Sequence, residues 1–336
     1  MMQQMVLTEK LFHGAVSIEK TKTYMKPWRI PINQAALFVP NRISGQAELP
    51  AGVRLSFRSN TRFIEIGIVS SPEQMQMDCL INGRLIDTAI ISSGETTVRF
   101  DTQTNEEKQI ELFLSQKVAV SITEVLIDED ATYELLEDSR KRWITYGSSI
   151  THCHYSESPS QTWPALAANK MDFNLTCLGY SGNCYLEPMV GRMISDIPSD
   201  FISMCVGINI VRGNALSDRT FQAALIGFIK IIRDKQKDVP IAIVSPIFNR
   251  EYEKMENNIG LSLEKTRKEI VEVIEILKNY GDHNLYYIDG LEMFGEEYEK
   301  YMPDGLHPNA EGDKKLAIRF QQQIEEKVPV VCKEKL

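Results

Sequence analysis

The chain has little of what marks a membrane, secreted or nucleic-acid-binding protein. No stretch reaches the ~18 consecutive apolar residues of a membrane span. The opening residues, Met1 to Lys10, lack the charged start, apolar run and small-residue cleavage site of a secretory leader. These absences predict a cytoplasmic protein without a membrane partner. Basic charge is in deficit, with 37 Lys and Arg against 46 Asp and Glu, a net charge of -9. A phosphate backbone is then not the expected partner, which excludes nucleic-acid binding as the main activity. The six cysteines (Cys79, Cys153, Cys177, Cys184, Cys205, Cys332) show neither a C-x-x-C pair nor a repeated spacing. Buried free thiols account for them better than a disulfide frame. A zinc site from His152, Cys153 and His154 with Cys177 and Cys184 is disfavoured, because consecutive side chains rarely converge on one tetrahedral ion; solvated or supporting histidines are the expectation. No repeat, low-complexity segment, G-x-S-x-G elbow or phosphate-binding G-x-x-x-x-G-K-[ST] loop is present.

What is present reads as two domains, since 336 residues exceed the ~100 to 200 of a typical single one. From Val53 to Ile127 the pattern has period two. Val53, Leu55 and Phe57 alternate with Arg54, Ser56 and Arg58, and Ile110, Leu112 and Leu114 with Glu111 and Phe113. That alternation predicts half-buried strands. Asn82-Gly83 predicts a tight hairpin, because its central positions need residues that tolerate positive φ. Short strands with no helix between them point to an all-β sandwich or jelly roll over residues 1–138. The charged run from Glu137 to Arg142 marks the boundary. Over residues 139–336 strands alternate with amphipathic helices, the pattern of a parallel sheet covered on both faces. The predicted strands are Trp143–Tyr146, Asn174–Leu178, Phe201–Val206, Ile241–Pro246 and Leu285–Ile288. Phe221, Leu225, Phe228 and Ile232 share a helix face behind a Ser217 cap, and Ile270, Val273, Ile274 and Leu277 share another. A last helix, with Leu316, Phe320 and Ile324 in phase, is placed after Gly312.

Four loops of this second half carry candidate chemistry. Tyr146-Gly147-Ser148-Ser149 follows the first strand, where such folds place their sites, and a serine past the glycine can be presented at a helix start. Alone, the same residues also make a common strand-to-helix cap. Pro303-Asp304-Gly305-Leu306-His307 precedes the last helix; an Asp three residues ahead of a His can orient the ring and stabilise its imidazolium. Gly179-Tyr180-Ser181-Gly182 after the second strand and Gly207-Ile208-Asn209 after the third put a glycine and N–H donors at strand ends, where an oxyanion could be met.

Together, in this order, the four blocks resemble the SGNH (GDSL-like) hydrolase family, from about Trp143 to the end of the last helix. The resemblance implies a flavodoxin-like α/β domain with a parallel sheet. It also implies Ser149 as nucleophile, His307 with Asp304 completing a triad, and an oxyanion hole made by the Ser149 and Gly182 N–H groups and the Asn209 side chain. Two departures stand out: the family usually has Asp where this chain has Ser148, and Asp where it has Ile210. Altered loop support with the reaction type kept is the expectation, and His152, Cys153 and His154 replace a glycine with bulk that would narrow the pocket.

An all-β domain ahead of such a hydrolase is similar in layout to bacterial carbohydrate esterases. The resemblance implies an acyl-enzyme mechanism with no metal or organic cofactor, acting on a short-chain ester, first an acetylated sugar or oligosaccharide. The β domain would roof the cleft or hold a sugar against Trp28 or Tyr24; a structural domain or a dimerisation surface is the plainer alternative. Two other functions stay open: an esterase or thioesterase on simple acyl compounds, and a carbohydrate-binding or assembly protein that hydrolyses nothing.

Overall fold

A computed structural model describes residues 1–135 and 137–332. The period-two segments form two six-stranded antiparallel sheets. The first runs Ser17–Lys20, Met25–Trp28, Ile122–Asp128, Phe63–Ile68, Thr97–Asp101, with Met2–Gln4 added on Ile122–Asp128. The second runs Tyr133–Glu134, Arg54–Ser59, Lys108–Phe113, Met75–Ile81, Arg84–Ile91, with Phe12–His13 added on Arg54–Ser59. Ile64, Ile66 and Phe100 of the first meet Leu55, Phe57 and Leu112 of the second in one core, so the half is a sandwich. Asn82 and Gly83 turn the expected hairpin at φ 49° and 76°.

The second half is a five-stranded parallel sheet in the order Phe173–Gly179, Lys141–Gly147, Phe201–Cys205, Ile241–Val244, Leu285–Ile288. This is the flavodoxin-like order, with helices on both faces. Trp163–Met171 packs with Ala310–Lys327, and Pro188–Asp196 packs with Asp218–Arg233, which meets Leu263–Asn279. The last helix starts earlier than expected: Asn309, not a residue beyond Gly312, is the cap, its side chain accepting from Gly312 N at 3.0 Å. The strand order reverses around Lys141–Gly147, and such a switch point opens a crevice at the strands' carboxyl ends.

The sandwich is not half-exposed where the two halves meet. Arg54 and Ser56, expected on a solvated face, are buried at 2% and 3% exposure, because that face of the second sheet packs on the α/β half. Arg54 donates to Glu111 at 2.8 Å and, across the boundary, to Asn174 Oδ1 at 2.9 Å. Asp78, fully buried, accepts from Ser158 Oγ at 2.6 Å and Ser160 N at 2.7 Å. Leu80 and Phe113 join the apolar core of the α/β half.

Candidate active site

Three of the four loops lie side by side at the switch point. Gly147 is in register with Gly179 on one side and Cys205 on the other, so the residues just past each strand share one level. Tyr180 N donates to Gly147 O at 2.8 Å and closes the first two loops together. Gly179 has to be glycine, since a Cβ there would collide with the backbone of Thr151 and His152. Ser148 caps the short helix Ser149–His152, its hydroxyl accepting from Ile150 N, so the serine in the family's Asp position supports the turn from below. Ile210, the other departure, is a fully buried core residue.

The fourth loop closes over Ser149. Ser149 Oγ lies 2.8 Å from His307 Nε2, and His307 Nδ1 lies 2.6 Å from Asp304 Oδ2. The other Asp304 oxygen accepts from Leu306 N at 2.9 Å and His307 N at 2.7 Å. Partial burial pushes the Asp304 carboxyl up, but His307 and these backbone donors outweigh it and hold the pKa down to about 2. An ionised Asp304 fixes the tautomer: Nδ1 carries the proton, leaving the Nε2 lone pair toward the serine hydroxyl. Asn249, past the fourth strand, donates to Gly305 O at 2.7 Å and steadies this loop.

Gly182 stands at φ 69° in a turn closed by Asn183 N donating to Tyr180 O at 2.9 Å, a conformation that favours glycine. Asn209 opens the helix Ile208–Arg212 beside it. Its side chain is 8% exposed, yet makes no hydrogen bond to any described residue, and its carboxamide oxygen is buried without a partner. The orphaned oxygen is an acceptor; the Nδ2 hydrogens, which bond no described residue, are the donors that the expected oxyanion role requires.

Sequence reasoning missed what the β half contributes. Arg29 is fully buried and forms no ion pair among the described residues. Its five donor hydrogens instead face Leu49 O, Gln46 O, Cys177 O, Gly179 O and His152 Nδ1. The Tyr180 hydroxyl donates back to Arg29 O at 2.6 Å. Ser44 Oγ, from a left-handed stretch with positive φ at Asn41 through Ser44, donates to Asn183 Oδ1 at 3.0 Å. The irregular segment from Arg29 to Gly52 thus holds the Gly179–Asn183 loop. A lone arginine in an apolar surrounding, Trp28-Arg29-Ile30, was the available signal.

Several side chains sit elsewhere than expected. His152 takes the supporting place of the two expected rather than the solvated one: its ring donates from Nε2 to Gln116 O at 2.7 Å, and burial, with Arg29 beside it, holds its pKa well below the usual value. Cys153 is buried as well, so neither residue narrows the cleft. Trp28 cannot hold a sugar, being 2% exposed, bonded to Glu19, with Lys26 and Arg42 over its ring. Tyr24 is half-buried against the same Glu19. Tyr155, unremarked in the sequence, is instead the exposed aromatic against His307, ring centres 5.0 Å apart.

This doubly wound fold, with its four converging loops, has a family. The chain belongs to the GDSL-like lipase/acylhydrolase family, which matches residues 140–325. Its chemistry is that of acyl esters, hydrolysed or transferred. Residues 10–120 match the N-terminal domain of SsfX3. Among solved structures the chain is similar to the salicylyl-acyltransferase SsfX3 from a tetracycline biosynthetic pathway, at 29% identity over 97% of each chain with a TM-score of 0.90. A Bacteroides ovatus protein described as a GDSL-like lipase matches at 22% identity over 97% of each chain, TM-score 0.78. An acetyl xylan esterase from the rumen bacterium Butyrivibrio proteoclasticus shares the fold at 12% identity over 99% of each chain, TM-score 0.65. No curated protein sequence matches. No described helix is long and apolar enough to cross a membrane.

Proposed function

We propose that the protein is a serine esterase that cleaves short-chain esters through an acyl-enzyme on Ser149. The observation that carries this reading is the hydrogen-bonded line from Ser149 Oγ through His307 to Asp304. His307 takes the Ser149 proton as the hydroxyl attacks the ester carbonyl, and the resulting oxyanion sits among the Ser149 and Gly182 N–H groups and the Asn209 amide. The C–O bond to the alcohol breaks as His307 returns the proton to the leaving oxygen, and water repeats the cycle. A short acyl group is the first to try, supported by likeness of fold to an acetyl xylan esterase. For the alcohol half, an acetylated carbohydrate is the first substrate to try, supported by the same likeness. Transfer of the acyl group to an alcohol instead of water is the second reading, favoured by the end-to-end match to an acyltransferase.

The test is to trap the adduct. Rapid acid quench during turnover of a short-chain acetate, followed by peptide mass mapping, is expected to find one acetyl group on Ser149, absent in Ser149→Ala. An acetyl group on Ser148, or hydrolysis surviving Ser149→Ala at the wild-type rate, would overturn the assignment.

A further inference from the structure

In the acyl-enzyme reading on which this inference rests, the two halves of the substrate lie on opposite sides of Ser149. The carbonyl oxygen turns toward Gly182 and Asn209. The leaving oxygen must reach the proton on His307 Nε2, so the alcohol departs along the His307 side. What it meets there is Tyr155. The tyrosine is 62% exposed, and its ring lies 5.0 Å from that of His307 with the planes inclined at 45°. The ring of His154 also stands 5.6 Å from that of Tyr155, the planes inclined at 73°.

An exposed tyrosine on a loose loop would carry no argument, but this one is anchored on both flanks. Cys153, at φ 60°, ends the helix that begins at Ser149, and Ser156 N donates back to Cys153 O at 3.2 Å. Ser156 is 3% exposed, and its hydroxyl bonds the buried carboxyl of Asp313. The turn therefore presents the ring outward beside half-buried His154, with Cys153 and Ser156 buried around the pair. A side chain with few rotatable bonds on a fixed turn loses little entropy when a ligand covers it.

We infer that Tyr155 is the alcohol subsite of the enzyme and selects esters of ring-bearing alcohols, whose ring face stacks on the exposed tyrosine. A pyranose, through its C–H face, and an aromatic or polycyclic alcohol present the same flat apolar surface to it. By microscopic reversibility the same ring receives an alcohol acceptor when the acyl group is transferred. The acceptor hydroxyl then loses its proton to His307, its oxygen bonds the acyl carbon, and the C–O bond to Ser149 breaks as the serine regains a proton.

The experiment compares three acetates of differing alcohol: a monoacetylated methyl glucoside, benzyl acetate and n-butyl acetate, followed by proton release. In Tyr155→Ala the ratio of kcat/KM for a ring-bearing ester to that for butyl acetate is expected to fall about tenfold, mainly through KM, as loss of one stacked pair implies. Tyr155→Phe is expected to restore it. A fall for the glucoside alone assigns the subsite to sugars, and a fall for the benzyl ester alone assigns it to aromatic alcohols. An equal loss on all three esters, which would make Tyr155 only a support for His307, or no loss on any, overturns the inference. Ser149→Ala is run on the same esters: if it hydrolyses them at the wild-type rate, the acyl-enzyme reading fails, whatever the ratio shows.

Discussion

The two halves serve the site by different means. In the α/β half, Ser149, Gly182 and Asn209 each stand just past the carboxyl end of a parallel strand, and the three strands are neighbours. Topology alone puts them together. The β half has twelve strands in two sheets, yet what it adds around the Gly179–Asn183 loop comes from the irregular segment Arg29–Gly52, by way of hydrogen bonds to backbone carbonyls. The proposed reactive groups are thus placed by regular structure, and the loop that carries the proposed Gly182 donor is held by packing that follows no periodic rule. A parallel sheet gives every loop a fixed origin, but it says nothing of the loop's far end, and an outside clamp settles that end.

This contrast can be broken from either side. The largest effect is expected in the α/β half, where His307→Ala lowers kcat on a short-chain ester on the order of 10⁶-fold. Asp304→Asn is expected to cost less than about 10⁴-fold, because the Asp304 side chain is 48% exposed and water replaces part of its field. Steady-state rates of the two variants rank them, and a reversed order would remove His307 as the base. Next comes Asn209→Ala, at about 10²- to 10³-fold in kcat with a smaller change in KM, since the oxyanion is fully formed only in the transition state. A raised KM with normal kcat would make Asn209 a ground-state contact. The smallest rate effect belongs to the β half. Arg29→Met leaves buried carbonyls without donors, at about 1 to 3 kcal/mol each, so a lowered melting temperature is expected together with a loss of kcat of roughly tenfold. If the variant melts early but its folded fraction turns over normally, the clamp joins the halves without reaching the chemistry.

The parallel half was legible because its signals are local. Apolar runs ended at glycine or proline turns, and the five expected strands match those formed to within a few residues. Ser149 and His307, 2.8 Å apart, are distant in sequence, and only the order of the four blocks suggested their meeting. The β half was legible as strands but not as a surface. Arg54 and Ser56 read as solvated because period two distinguishes two faces without saying what covers the second. Trp28 looked like a sugar platform because an aromatic in an extended segment has no sequence mark of burial. Tyr155 lay hidden for the opposite reason: its exposure follows from the burial of Cys153 and Ser156 around it, which depends on Asp313 far along the chain.

Asp313 has a consequence of its own. It is 2% exposed, its partners are the uncharged Ser156 and Cys153, and burial pushes its pKa up to about 7 from an ordinary 3.8. The folded chain therefore keeps a proton that the unfolded chain surrenders above about pH 4. Because the native state binds more protons than the unfolded one in that range, stability from this group is full at low pH, declines as pH rises toward 7, and levels off beyond it. The proton acts as a small removable ligand, bound between the turn that carries Tyr155 and the helix that follows His307. Mild alkali withdraws it without touching Ser149. Melting temperatures measured between about pH 5 and 8 are expected to fall in the wild type and to lose that slope in Asp313→Asn. Identical slopes in the two proteins would mean that the carboxyl is already ionised when folded.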